Sequence, residues 1–132
     1  MALGFVTHLN TDYASAIEQV TAALKAEGFG VLTEIDVKAT FKQKLDVDFR
    51  PYKVLGACNP NFAHKALNVS SDVGMLIPCN VTVSEVEAGK IEVSIIDPEM
   101  MFKVMDSPEL ESLACEVGDM LKRVIASLEA SA

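Results

Sequence analysis

The chain has 132 residues, half of them hydrophobic and 23% charged, with a formal net charge of -8 and a pI near 4.6. That is the size of one ordinary domain with enough apolar residues for a single core, which excludes a disordered polymer. Its 11 lysines and arginines are scattered, so no nucleic acid and no anionic membrane surface is expected as a partner, and no run approaches the ~18 apolar residues of a membrane span.

Residues 3–9 alternate, with Phe5, Thr7 and Leu9 against Val6 and His8, and predict a short first strand. Asn10, Thr11 and Asp12 offer N-caps, and Tyr13, Ile17, Val20 and Leu24 then form one helical face that Gly28 ends. Phe29, Val31, Thr33 and Ile35 alternate as a second strand closing at Asp36. Asp36 can cap a short helix with Val37, Phe41 and Leu45 on one side, and helix is favoured over strand there. Pro51 opens a buried strand, Tyr52 to Ala57, which stops at Cys58-Asn59-Pro60 and turns straight into a helix. Asn59 is the expected N-cap and Pro60 the first helical residue. That helix places Phe62, Ala63, Ala66 and Leu67 on one side and frays through Ser70, Ser71 and Asp72 to Gly74.

Met75 to Val86 reads as the next strand, with Ile77, Cys79, Val81 and Val83 on one face and Pro78 marking an edge or bulge. Glu87-Ala88-Gly89-Lys90 is a hairpin turn, and Ile91, Val93 and Ile95 return. Asp97-Pro98 breaks the sheet, and Glu99 to Met105 is expected to be irregular. Ser107-Pro108-Glu109 starts a last helix whose stripe runs Leu110, Leu113, Val117, Met120, Leu121, Val124, Ile125, Leu128. Early alternation followed by a late hairpin predicts an α+β single domain spanning residues 1–132, with a mixed, mainly antiparallel sheet and helices packed on it.

The N-terminus lacks the basic and long apolar regions of a secretory signal, and three cysteines without CxxC spacing make neither a disulfide framework nor a zinc site. A cytoplasmic, reducing location is the expectation. Cys58 is the sharpest candidate, because a thiolate beside a helix N-terminus is stabilised by unpaired backbone N–H groups. Against it, free cysteine is commonly buried and only packs. Cys79 shares the apolar face of its strand and gains interest only if topology brings it to Cys58. Cys115 adjoins the last helix's apolar stripe and reads as packing. His64 falls on the polar side of its helix and His8 has no partner pattern, so no metal site is expected; Met100, Met101 and Met105 read as gap fillers before soft-metal ligands. GxGxxG, P-loop and GxSxG motifs are absent, which leaves catalytic residues and cofactors unassigned.

Asp36 to Phe41, Lys44-Leu45, Phe49 to Tyr52, Leu55-Gly56-Ala57-Cys58-Asn59-Pro60, Ala63, Ala66-Leu67 and Leu76-Ile77-Pro78-Cys79-Asn80-Val81 together resemble the domain-of-unknown-function 302 family. Asp97-Pro98 and the leucine-rich terminal helix fit the same pattern. The resemblance implies a small, mainly prokaryotic α+β domain and brings no activity with it. It groups Cys58, Asn59, Pro60, Pro78 and Cys79 as a set. Two functions compete on these residues. One is a small-ligand-binding or regulatory module near Asn59-Pro60, with a homodimer expected because the terminal stripe exceeds what one sheet covers. The other is a thiol protein, for redox sensing, sulfur transfer or soft-metal handling through Cys58, with or without Cys79. A third makes the domain an adaptor with no pocket.

Overall fold

The computed structural model describes residues 3–131. Strands β1 (Gly4–Asn10), β2 (Gly30–Asp36), β3 (Tyr52–Cys58), β4 (Cys79–Glu87) and β5 (Lys90–Ile96) form one sheet in the order β1-β5-β4-β3-β2. Each neighbouring pair is antiparallel, so the α+β expectation holds and the ladder contains no parallel pair. The helices are α1 (Tyr13–Ala26), α2 (Val37–Leu45), α3 (Pro60–Val69), the five-residue α4 (Pro98–Phe102) and α5 (Pro108–Ser131).

Local chemistry explains most boundaries. Asp12 caps α1 by accepting from the Ser15 N–H at 2.8 Å, and Gly28 leaves the helix at φ +87°, a conformation that favours glycine. Asp36 caps α2 in the same way through the Ala39 N–H at 2.9 Å. Because β1 and β2 are opposite edges of the sheet, α1 carries the chain across its full width and buries Val20 and Leu24. Helix α5 packs against α1, α3, α4 and β1. Its Leu110, Val117, Leu121, Val124 and Leu128 are buried, and Leu113 and Met120 pack partly buried against the same core. The stripe is thus satisfied within one chain and supplies no argument for a dimer.

Four expectations need correction. Strand β4 begins at Cys79 rather than Met75, because Ser71–Met75 forms a 3-10 turn and Pro78, with no N–H to donate, precedes the ladder. The Ile77–Pro78 peptide is cis. Strand β2 carries a register shift between Val31 and Thr33, so Val31 opposes Ala57 while Thr33 opposes Gly56 and the expected single face is split. Leu67 is exposed, since α3 buries only Phe62 and Ala66. Residues 98–105 are helical rather than irregular: Asp97 accepts from the Glu99 N–H at 3.0 Å and starts α4, which drives Phe102 into the core.

The sheet has one face packed under α1 and α5 and a second face covered only at one corner, where Arg50 donates to Ser84 Oγ at 2.9 Å and lies over the rings of Phe49 and Tyr52. Leu55, Ala57, Cys79, Val81, Val83, Ile91, Val93 and Ile95 point into the core beneath the helices. On the other side, strand alternation and register align Val6, Ser94, Thr82, Val54 and Ile35 in one row across all five strands. A second row, Gly4, Ile96, Asn80, Gly56 and Thr33, runs beside it. Ten positions therefore include no charged side chain.

Candidate functional site

Strands β3 and β4 are antiparallel neighbours, so the end of one and the start of the other meet at the same edge of the sheet. Cys58, Asn59, Pro60, Pro78 and Cys79 therefore gather at one corner. Gly56 is the hinge of that corner. A Cβ there would run into the Thr33 hydroxyl and lie 2.8 Å from Pro78 Cγ, so only glycine lets the proline ring and Thr33 close over β3. Cys79 opposes Ala57 in the ladder, and alternation turns Cys58 to the opposite face.

Both thiols are free, and neither is activated. Burial pushes the Cys58 thiol above its ordinary value, and burial reinforced by Cys58 pushes Cys79 up to about 11. Each stays protonated at neutral pH. Cys115 is exposed, and the Glu99 and Asp119 carboxylates raise it as well.

The expected free N–H groups of α3 are not free. Pro60 has none; Asn61 and Phe62 donate to Asn59 Oδ1 at 3.1 and 3.3 Å; Ala63 donates to the Asn59 carbonyl at 2.9 Å. The first turn of the helix is therefore closed to an anion. Asn59 is itself buried, and its Nδ2 donates to Met120 Sδ at 3.7 Å, which ties the corner to α5. It also lies 3.3 Å from where a Cβ at Gly28 would stand, so the end of α1 abuts the same side chain. Replacing Asn59 with alanine is expected to cost about 2 kcal/mol in urea unfolding, because two capping bonds and a buried amide contact vanish together. Asn59→Ser keeps an acceptor and should lose less; equal losses would show that the cap is not what matters.

Beside this corner a cleft of about 460 Å³ opens between α3 and α5. Phe62, Leu113, Val117 and Met120 supply apolar walls, and Lys65, Arg123, Glu116 and Asp119 supply charges of both signs. Arg123 is held by Glu27 at 2.8 Å. The α5 residues of this cleft had no signal in the sequence beyond membership of a helical stripe. His64 is exposed and within 3.4 Å of Asn68, while His8 meets Glu92 at 3.2 Å across β1 and β5, far along the sheet from the corner. Met101 and Met105 pack against the core and Met75 is exposed. Among the described residues, no three His, Cys, Asp or Glu side chains converge as a metal-binding group, and no helix is long and apolar enough to cross a membrane.

The fold is that of a single-domain α+β protein with one five-stranded antiparallel sheet and the long C-terminal helix α5 packed on it. A crystal structure of an uncharacterised conserved DUF302 protein from Bacillus stearothermophilus is similar to it, with 31% identity, 98% of each chain covered and a TM-score of 0.84. The sequence profile of the domain of unknown function DUF302 matches residues 5–128, and the chain belongs to that family. No curated protein matches it.

Proposed function

We propose that the chain is a small-ligand-binding or regulatory module, a homodimer of a reducing compartment such as the cytosol, whose ligand sits in the α3–α5 cleft. The observation that carries this is the placement of the cleft. It adjoins the Asn59 corner, and its volume of about 460 Å³ falls in the usual range of ligand sites, ~300–1,000 Å³. An apolar wall with a mixed-charge rim suits a small amphipathic molecule with a carboxylate or amide head. The closed first turn of α3 moves recognition of that head from backbone N–H groups to side chains such as Lys65 and Asn61. A working dithiol finds less support, since both Cys58 and Cys79 are raised away from the thiolate.

The test is amide-resolved NMR titration with hexanoate, phenylacetate and hexanamide as probes. Saturable shifts at Asn59, Phe62, Val117 and Met120 are expected, and Leu113→Trp, which fills the cleft, should abolish them. Shifts scattered over the surface, or unchanged in Leu113→Trp, would remove the cleft from consideration.

A further inference from the structure

We infer that the sheet face turned away from α1 and α5 carries a second binding site, a trough for a long-chain carboxylate. The Arg50 guanidinium takes the head and two joined apolar hollows take the tail. The site lies apart from the α3–α5 cleft and does not depend on it. The first hollow, about 390 Å³, is bordered by Gly4, Val6, Thr82 and Ser94. The second, about 270 Å³, is walled by Met75, Ile77, Pro78 and Met101. Asn80 and Ile96 border both, so the two are continuous. No charged residue lines either hollow among the described ones. Leu3, Val6 and Met75 along them stand 69%, 49% and 79% exposed.

Arg50 supplies the charge at one end. Its Nε donates to Ser84 Oγ at 2.9 Å, and its guanidinium carbon lies 4.5 Å from the centre of the Phe49 ring and 5.6 Å from that of Tyr52. Phe41 braces Phe49 edge-on, with centroids 5.1 Å apart. Ser84 is itself buried, so the anchor is fixed. Among the described residues no carboxylate pairs with the guanidinium. Glu92, which opposes Ser84 in the ladder, is turned to His8 at 3.2 Å. An arginine already stacked and anchored loses little freedom when its two outer nitrogens grip a carboxylate with parallel bonds.

Strand β4 joins the two ends. Ser84, Thr82 and Asn80 follow one another on this face, so the anchor of Arg50 and the wall shared by the hollows stand about 14 Å apart, at ~3.4 Å per residue. A linear acid must be roughly eleven carbons long before its tail reaches the second hollow with its head on Arg50. Charge selects the head. A chain of net charge -8 draws cations through its overall field, so an apolar trough alone would favour a cationic amphiphile. Arg50 at the mouth reverses that preference locally. Together the hollows fall within the ~300–1,000 Å³ of ordinary ligand sites, and Met75 and Met101 give them an adaptable wall.

NMR titration below the micelle concentration tests the inference with dodecanoate and with dodecyltrimethylammonium, which has the same tail and the opposite charge. Dodecanoate is expected to saturate, with shifts at Asn80, Ser94, Ile96 and the Arg50 Nε–H. It should bind about 10-fold or more tighter than the cation, and about 100-fold or more tighter than hexanoate at the same residues. Arg50→Gln should weaken dodecanoate by about 10-fold or more. Asn80→Trp, which fills the wall common to both hollows, should abolish its binding. Circular dichroism establishes that the variants fold. Ser84→Ala, which frees the guanidinium without removing it, replaces Arg50→Gln if that variant does not fold, with a loss of about threefold expected; Ser94→Trp likewise replaces Asn80→Trp. Equal affinity for the two amphiphiles, or an Arg50 variant that binds as the native chain does, overturns the carboxylate and the site with it. Dodecanoate shifts confined to Phe62, Val117 and Met120 place that ligand in the α3–α5 cleft and overturn the trough. Hexanoate shifts at those cleft residues belong to the earlier proposal, which stands or falls without this site.

Discussion

Phe102→Ala is expected to destabilise the protein by about 4 kcal/mol, the cost of removing a buried aromatic ring and leaving a cavity behind. Phe102 is fully buried, and its ring meets Phe62 edge-on, with centroids 5.7 Å apart and planes at 85°. That contact links α4 to α3, and α4 in turn lies on α5, so one side chain closes the space among three helices. Phe102→Leu should lose much less, because it refills most of the volume. Urea midpoints for the two variants decide the matter: similar small losses would mean that the pocket collapses around the deletion. The same experiment probes the candidate site, since Phe62 belongs both to this aromatic pair and to the cleft.

The second large effect is a loss of stability in alkali. Cys79 keeps its proton in the folded protein up to about 11, whereas its ordinary value is 9.0. Above the ordinary value the unfolded chain releases the proton that the folded one retains, so rising pH favours unfolding. The stabilisation is fully present below pH 9 and disappears by about pH 11. Two units at ~1.4 kcal/mol each amount to about 3 kcal/mol. Tyr13 acts in the same direction at higher pH, because burial and the Asp36 and Glu34 carboxylates raise its phenol, whose hydroxyl donates to the Val83 carbonyl at 2.7 Å. Unfolding free energies of the native chain and of Cys79→Ala, followed from pH 8 to 11, should converge by that 3 kcal/mol. Curves that stay parallel would mean that Cys79 does not carry the effect.

Elements whose signals are local were legible in the sequence. Asp12 and Gly28 bound α1, Asp36 starts α2, and Asn59-Pro60 starts α3 where a cap and a first-position proline predict it. The corner itself was legible as a set of residues, since the Cys-Asn-Pro and Pro-Cys pieces stand out. What they do there was not. The order β1-β5-β4-β3-β2 depends on pairings between residues as far apart as Gly4 and Ile96, which no window of sequence contains. The occupied N–H groups of α3 follow from the rotamer of one side chain, Asn59, and its second bond goes to Met120 on α5, 61 residues later. The bulge near Leu32 hides for a related reason. Its sequence alternates well, and only the pairing with β3 reveals that Thr33 must face Gly56. Asp97-Pro98 reads in sequence as a break alone, although the same pair caps and begins α4.

The edge-to-edge path of α1 has a consequence for how the domain is made. Of the five strands β1 is made first, yet its hydrogen-bonding partner is β5, which ends at Ile96. Strand β1 thus waits for most of the domain without a neighbour, and the packing of α1, begun on β2, β4 and β5, is completed only when α5 arrives. Pairing so distant in sequence is slow to form and leaves no self-sufficient N-terminal fragment. A chain interrupted before residue 96 retains an unpartnered edge and half a core, so the domain is made whole or remains prey to aggregation and proteolysis.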